Sequence, residues 1–345
     1  MSRAQRSTQW CAADPGSPRP TSLRWPASSR AALFLLALLI GAGESRAETY
    51  PAHDIHLISA FPPGSGADVM VRYFAEKLRP LTGRTILVEN KPGAGGNIAT
   101  EYAVRAKPDG YTIFVHAGNT VASNVHLIRN NPVDPAREIQ IAATINRQAF
   151  MLAVDTRRPW QTLDQLTEHL RARGDKASYG AAANSGVIMC ALYKEAAHLA
   201  AVEVNYRMAQ DQLNDMASGT VDFGCNDPLF TLAQAREGRL RILAVASGMR
   251  LAAAPGVPTM TELGYPMDLA GWFAAMVPAA TPRPIVETIN GWFNAILATQ
   301  ETRAFLRNAG GDPWISTPEE GQARLLRDIA DWESYVRVAK LKPQG

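Results

Sequence analysis

The stretch IHLISAFPPGSGADVMVRYFAEKLRPLTGRTILVENKPGAGGNIATEYAVRAKPDGYTIFVH, residues 55–116, carries the rhythm that decides the fold. Residues 55–60 read as a buried strand, and 61–68 as a turn. Over residues 69–81, Val69, Tyr73, Phe74 and Leu78 fall on one helical face. Residues 85–89 form the next strand, 90–97 another turn and 98–106 a helix, before the strand 111–116. This βαβαβ alternation predicts a parallel sheet covered by helices on both faces.

The rhythm restarts at residues 150–154. A helix at 163–173, a strand at 176–179 and a helix at 186–200 follow. Strands 202–206 and 221–225 flank a helix at 209–217, and residues 240–246 form a long buried strand. After a Pro/Gly-punctuated stretch at 254–266 come the strand 272–277 and two closing helices, 284–298 and 318–339. These last elements are too few for a third domain, so they return to the first lobe. The expectation is an α/β chain of two lobes, each a mainly parallel sheet flanked by helices. Lobe 1 is 48–149 plus 272–345, lobe 2 is 150–271, and the ligand site lies between them.

The first 47 residues stand apart. A polar, arginine-bearing stretch leads into an apolar run at 31–42, and Ser45-Arg46-Ala47 offers small residues for a signal peptidase. This is a secretory signal, with an apolar run too short for a membrane span, which needs about 20 residues. Six arginines against Asp14 and Glu44 lie in this leader. Its removal takes the formal charge from +3 to −1. The mature chain therefore has no basic excess for nucleic acid. Two cysteines remain, Cys190 and Cys225. An oxidising compartment permits a bridge, but two partly buried free thiols are the favoured expectation. No Cys-x-x-Cys pair exists for zinc or redox chemistry.

In an open α/β sheet, ligands bind beyond the carboxyl ends of the strands. There the helix N-termini offer free N–H groups and partial positive charge. Four turns fit that position. The first holds Pro63, Gly64, Ser65, Gly66, Ala67 and Asp68. Its glycines permit close approach, the N–H groups of Ser65, Gly66 and Ala67 point outward, and Asp68 caps the helix. The second holds Asn184, Ser185 and Gly186. The third follows His116 and holds Gly118, Asn119 and Thr120. The fourth holds Asn226 and Asp227. The glycine-rich run at 92–97 is neither a dinucleotide fingerprint nor a Walker loop, and reads as a tight structural turn.

Catalytic constellations are missing. No Gly-x-Ser-x-Gly elbow occurs. His53 and His56 could share a metal only in a helix, and they sit at a strand entrance. His116, His126, His169 and His198 are scattered. No metal site and no cofactor are expected.

Three strings, FPPGSGAD, PGAGGN and PDGYT, occur together. With VDFGCNDPL, LRILAVASGMRLAAAPGVPTMTELGYP and WFAAMVPAATPRPIVETIN, they resemble the Bug family along the chain from Tyr50 onward. These proteins, also called the TctC family, are periplasmic receptors of tripartite tricarboxylate transporters. The resemblance implies a flytrap-like, type II binding protein that catalyses nothing. It implies a carboxylate pinched between two strand-to-helix loops, one from each lobe, and delivered to membrane subunits of the transporter. Residue by residue, the first loop falls on Pro63 to Asp68 and the second on Asn184, Ser185 and Gly186. A cleaved signal peptide, a periplasmic location and a monomeric state go with this reading.

The sequence departs from the family pattern. Ser65 stands where a third glycine is usual, and Ala67 where Thr or Ser would add a hydroxyl. The second loop is short. Tyr206-Arg-Met-Ala209 replaces a Tyr-Lys-Gly run, making Arg207 an extra candidate cation, and Asn226 stands where Asp is common. The pocket is thus more apolar on the second-lobe side, and a monocarboxylate or aromatic acid is expected rather than citrate. Two other classes compete: a sensory protein that presents its ligand to a membrane kinase, and an exported hydrolase, which lacks a nucleophile–base pair.

Overall fold

Local chemistry sets the first helix. Ser65 caps it, its Oγ accepting from the Asp68 N–H, and Gly83 ends it in the left-handed conformation at φ 65°. Between those caps Met70, Val71, Phe74, Ala75 and Leu78 are buried along one face. This computed structural model describes residues 49–182, 184–206 and 208–343, with Asn184 described by its backbone alone. The expected leader, residues 1–47, and Arg207 lie outside the described residues.

In chain order the first elements are β1 (Ile55–Ser59), α1 (Gly66–Thr82), β2 (Ile86–Asn90), α2 (Asn97–Val104), β3 (Thr112–Ala117), α3 (Gly118–Leu127) and α4 (Pro135–Glu138). Then come β4 (Ile139–Ala149), β5 (Met151–Asp155), α5 (Leu163–Arg173), β6 (Ser178–Ala181), α6 (Asn184–Ala196), β7 (Val202–Asn205) and α7 (Ala209–Ser218). β8 (Phe223–Asn226), α8 (Pro228–Arg236), β9 (Leu240–Val245), β10 (Ala270–Pro278) and α9 (Arg283–Ala298) follow. The chain closes with α10 (Gln300–Asn308), β11 (Asp312–Pro313) and α11 (Pro318–Val338).

Among the described residues these strands form two sheets. One has the order β11-β4-β10-β3-β1-β2, the other β7-β6-β8-β5-β9. The result is a two-lobed α/β fold with mixed sheets. β1 runs parallel to β2 and β3, and β6 parallel to β7 and β8. The expectation of mainly parallel sheets fails where the chain crosses. β10 enters between β3 and β4 antiparallel to both, and β5 lies antiparallel to β8 and β9. Those pairings need no crossover helix, so a sequence read as repeated βα units cannot show them. β10 is buried at all nine positions, as a central strand covered on both faces should be.

One buried cluster runs from Ile58 and Phe114 in the first sheet to Leu152 and Phe223 in the second. Helix α11, held at its start by a capping box between Thr317 and Glu320, packs on both α3 and α6. Cys190 and Cys225 are bonded, with Cα atoms 6.1 Å apart, which corrects the free-thiol expectation. The reason is close packing of α6 on β8. A Cβ on Gly186 would lie 2.4 Å from the Cys225 carbonyl oxygen.

Candidate ligand-binding site

The loop between β1 and α1 is tied down from inside. Asp68 is fully buried, and its carboxylate accepts from the Gly64 N–H (2.8 Å), Arg72 Nε (2.8 Å) and Asn90 Nδ2 (2.6 Å). Asn90 Nδ2 also reaches the Phe61 carbonyl at 2.9 Å. Burial opposes the charge on Asp68. The Arg72, Asn90 and Gly64 hydrogen bonds outweigh it and hold the carboxyl below its usual range. Asp68 is therefore an internal anchor. The helix is capped by Ser65, not by Asp68 as expected, and both carboxylate oxygens of Asp68 are taken up within the loop. Gly64 sits at φ +80°, the one place in the loop that demands left-handed backbone.

The N–H groups divide unevenly. Ser65 N–H turns back to the Pro62 carbonyl at 3.2 Å, so it does not point outward as expected. Among the described residues no acceptor takes the N–H groups of Gly66 and Ala67, the first two of α1. Pro63 and Gly64 are exposed, Ser65 and Ala67 half-buried. This leaves two donors at a helix N-terminus, where an anion is favoured.

The second sheet brings its own helix starts to the same region. A Cβ on Gly66 would meet Leu229 Cδ2 at 3.0 Å, so the tip of α1 faces the first turn of α8. Asp227 caps α8, its Oδ1 accepting from Phe230 N–H at 3.0 Å. Burial raises its pKa, against the hydrogen bonds from Phe230 and Leu229. Asn226 is buried at the end of β8. Gly186 packs on that same strand, while Ser185 is half-buried at the start of α6. Leu229 was not among the residues singled out from sequence. Its only signal was its place after the Asp227-Pro228 helix start.

The third turn is different. Residues 118–120 are the first turn of α3, not a loop. Asn119 is buried, and its Oδ1 accepts from the Trp272 N–H at 3.4 Å, fixing the start of β10. Thr120 is half-buried. Arg207 lies outside the described residues, as does the side chain of Asn184, so their expected roles have no geometry here.

The histidines have separate surroundings. His56 Nδ1 meets Glu89 Oε1 at 2.5 Å, and His53 stacks on Tyr111. Among the described residues no group of His, Cys, Asp and Glu could hold a metal ion. His116, at the end of β3, is buried against Phe61 and Phe114, with neither ring nitrogen hydrogen-bonded. Burial pushes its pKa down to about 3.

Against this geometry, residues 70–337 match the model of the tripartite tricarboxylate transporter family receptor. The chain belongs to this family. Protein BugT of Bordetella pertussis is 30% identical over 302 residues, covering 86% of this chain and 93% of that protein. Among solved structures, R. palustris Rpa4515 with adipate is 27% identical at a TM-score of 0.73, covering 86% of this chain and 100% of that one. The periplasmic binding protein BugD is 26% identical at a TM-score of 0.69, with the same coverage. The family consists of periplasmic solute-binding receptors, not enzymes. Among the described residues no helix of the receptor is long and apolar enough to cross a membrane.

Proposed function

We propose that the receptor captures a small organic acid between its lobes and presents it to membrane subunits of a tripartite tricarboxylate-type transporter. The observation that carries this reading is the pair of uncommitted N–H groups at Gly66 and Ala67, set where α1 faces α8. Two N–H groups at a helix start match the two oxygens of one carboxylate. The loop is stiffened from behind by Asp68, Arg72 and Asn90, so little ordering remains to be done on binding.

The first lobe comprises residues 48–149 and 272–345 and the second 150–271. Membership of the strands in the two sheets supports that division. Ligand contacts come from Pro63, Gly64, Ser65, Gly66 and Ala67 on one side. The facing contacts are assigned to Asn184, Ser185, Gly186, Asn226 and Asp227, with Asn119 and Thr120 at the cleft floor, and Arg207, outside the described residues, is the candidate extra cation. The first turn of α8 adds Leu229, an apolar side chain, and Ala67 adds no hydroxyl. A monocarboxylate or aromatic acid fits this surface better than citrate, whose three charges would need more donors. The receptor acts as a monomer in the periplasm after loss of the leader, residues 1–47.

Calorimetric titration of the purified mature chain with benzoate, adipate and citrate tests the reading. Binding of benzoate, with adipate weaker and citrate at least tenfold weaker, is the expected result. Tight citrate binding with no affinity for aromatic acids would overturn the ligand assignment. Silence across all three and a wider panel of organic acids would overturn the receptor reading.

A further inference from the structure

A cavity of about 720 Å³ lies beside the edge of the first sheet formed by β11 and β4. β10 separates that edge from β3 and β1, whose ends carry the loops described above. Its walls come from both sheets' chain segments. Arg147 stands at the end of β4 and Met249 in the segment leaving β9. Trp314 and Ile315 follow β11, and Arg324 and Arg327 lie on α11.

The charges in this cavity are not evenly committed. Three acids line it, and each is engaged by the protein. Asp268 accepts from Gly248 N–H, Ala270 N–H and Arg324 Nη1. Asp312 Oδ2 accepts from Ala252 N–H at 2.9 Å, and Glu320 closes the capping box of α11. Asp312 Oδ1 is buried without a partner, an acceptor left over in the same wall. Arg324 is paired twice, with Asp268 and with Asp328.

Arg147 is the exception. Among the described residues no carboxylate lies within ion-pair distance of it. Its guanidinium stacks on the Trp314 ring at 3.9 Å, with Nη1 4.0 Å from Met249 Sδ and Nε buried without an acceptor. Burial and the neighbouring Arg324 both weaken its hold on the proton, while Asp268 and Glu320 act the other way. A guanidinium held on an aromatic face and lacking a carboxylate is suited to bind one. Arg327 is exposed and makes no ion pair among the described residues. The rim is apolar: Met249 is 59% and Ile315 48% exposed.

We propose that this cavity is a second organic-anion site, for a carboxylate bearing an aromatic or alkyl body. Arg147 meets the carboxylate, Arg327 adds charge at the rim, and Trp314, Met249 and Ile315 cover the body. The Asp312 oxygen favours acids that also carry a hydrogen-bond donor. Because its walls belong to both lobes, an occupant binds one placement of the lobes better than another.

The test titrates the full mature chain with 4-phenylbutyrate and with its uncharged amide, following heat and tryptophan emission. Gly66→Val serves as the chain with the cleft obstructed. The expected result is a 4-phenylbutyrate event that survives Gly66→Val within twofold, weakens at least tenfold in Arg147→Gln, and is absent for the amide. Its emission change disappears in Trp314→Phe. Should Arg147→Gln fail to fold, the acid-against-amide comparison in Gly66→Val still decides. Equal binding of acid and amide, an event unaffected by Arg147→Gln, or none surviving Gly66→Val overturns the site. A tenfold weakening of adipate binding in Gly66→Val is a separate readout of the cleft, so the two readings fail independently.

Discussion

His116 shows what a single buried side chain does to acid tolerance. Its pKa falls from 6.5 to about 3 because burial penalises the imidazolium. The unfolded chain takes up a proton below pH 6.5 that the folded chain refuses until about pH 3. Stability is therefore lost as pH falls through that window, by about 1.4 kcal/mol per pH unit. Replacing His116 by Leu removes this proton uptake and two buried nitrogens that lack partners. The expected outcome in urea unfolding is a loss between pH 7 and pH 5 that is smaller by about 2 kcal/mol. An unchanged pH slope would place the acid sensitivity elsewhere. Gly96 is tied to the same residue. A Cβ there would lie within 2.4 Å of His116 Nε2, so the glycine run at 92–97 is shaped by packing rather than by a nucleotide. The turn reading of that run was available from spacing alone. Its reason, a histidine ring filling the space, was not.

Helix starts are the elements that make the candidate site, and they were unevenly legible. The first loop and α1 could be read from Phe61 to Leu78, because glycines, a cap and a clean apolar face agree. The start of α3 read as a turn, because Gly118, Asn119 and Thr120 have turn composition. Their helical state depends on Trp272 and β10, more than 150 residues away. β4 was missed because Gln140, Thr144, Asn146, Arg147 and Gln148 break its apolar run, although most of the strand is buried. The Cys190–Cys225 bond needed the docking of α6 on β8, which spacing does not encode. The bond closes a loop of 35 residues. Cys225→Ser should lower stability by about 2–4 kcal/mol in denaturant unfolding. A loss below about 0.5 kcal/mol would show that the bond constrains nothing. Between elements, Gly66 and Leu229 set the approach of α1 to α8. Gly66→Val should weaken acid binding about tenfold with little change in Tm, and Leu229→Ala should recover much of that loss in the double variant. Additive defects in the two variants would refute this contact as the spacer.

At the scale of the whole molecule, the two lobes share apolar packing. Helix α11 rests on α3 and α6, and a continuous cluster joins both sheets. The two-lobed plan was legible because βα units restart near Phe150. The mixed pairing was not, because it is decided by where the returning chain inserts. That insertion has a consequence for assembly in time. During synthesis the chain emerges from its N-terminus, and β10 is the central partner of both β3 and β4 in the first sheet. Until residues 270–278 arrive, those two strands have open edges, whereas all five strands of the other sheet are already present by Val245. The later-starting lobe is thus the first that can be completed, and the N-terminal one waits for the C-terminal quarter of the chain. Hydrogen exchange on nascent chains of increasing length should find β5 to β9 protected before β3 and β4. Simultaneous protection of both sheets would refute this order.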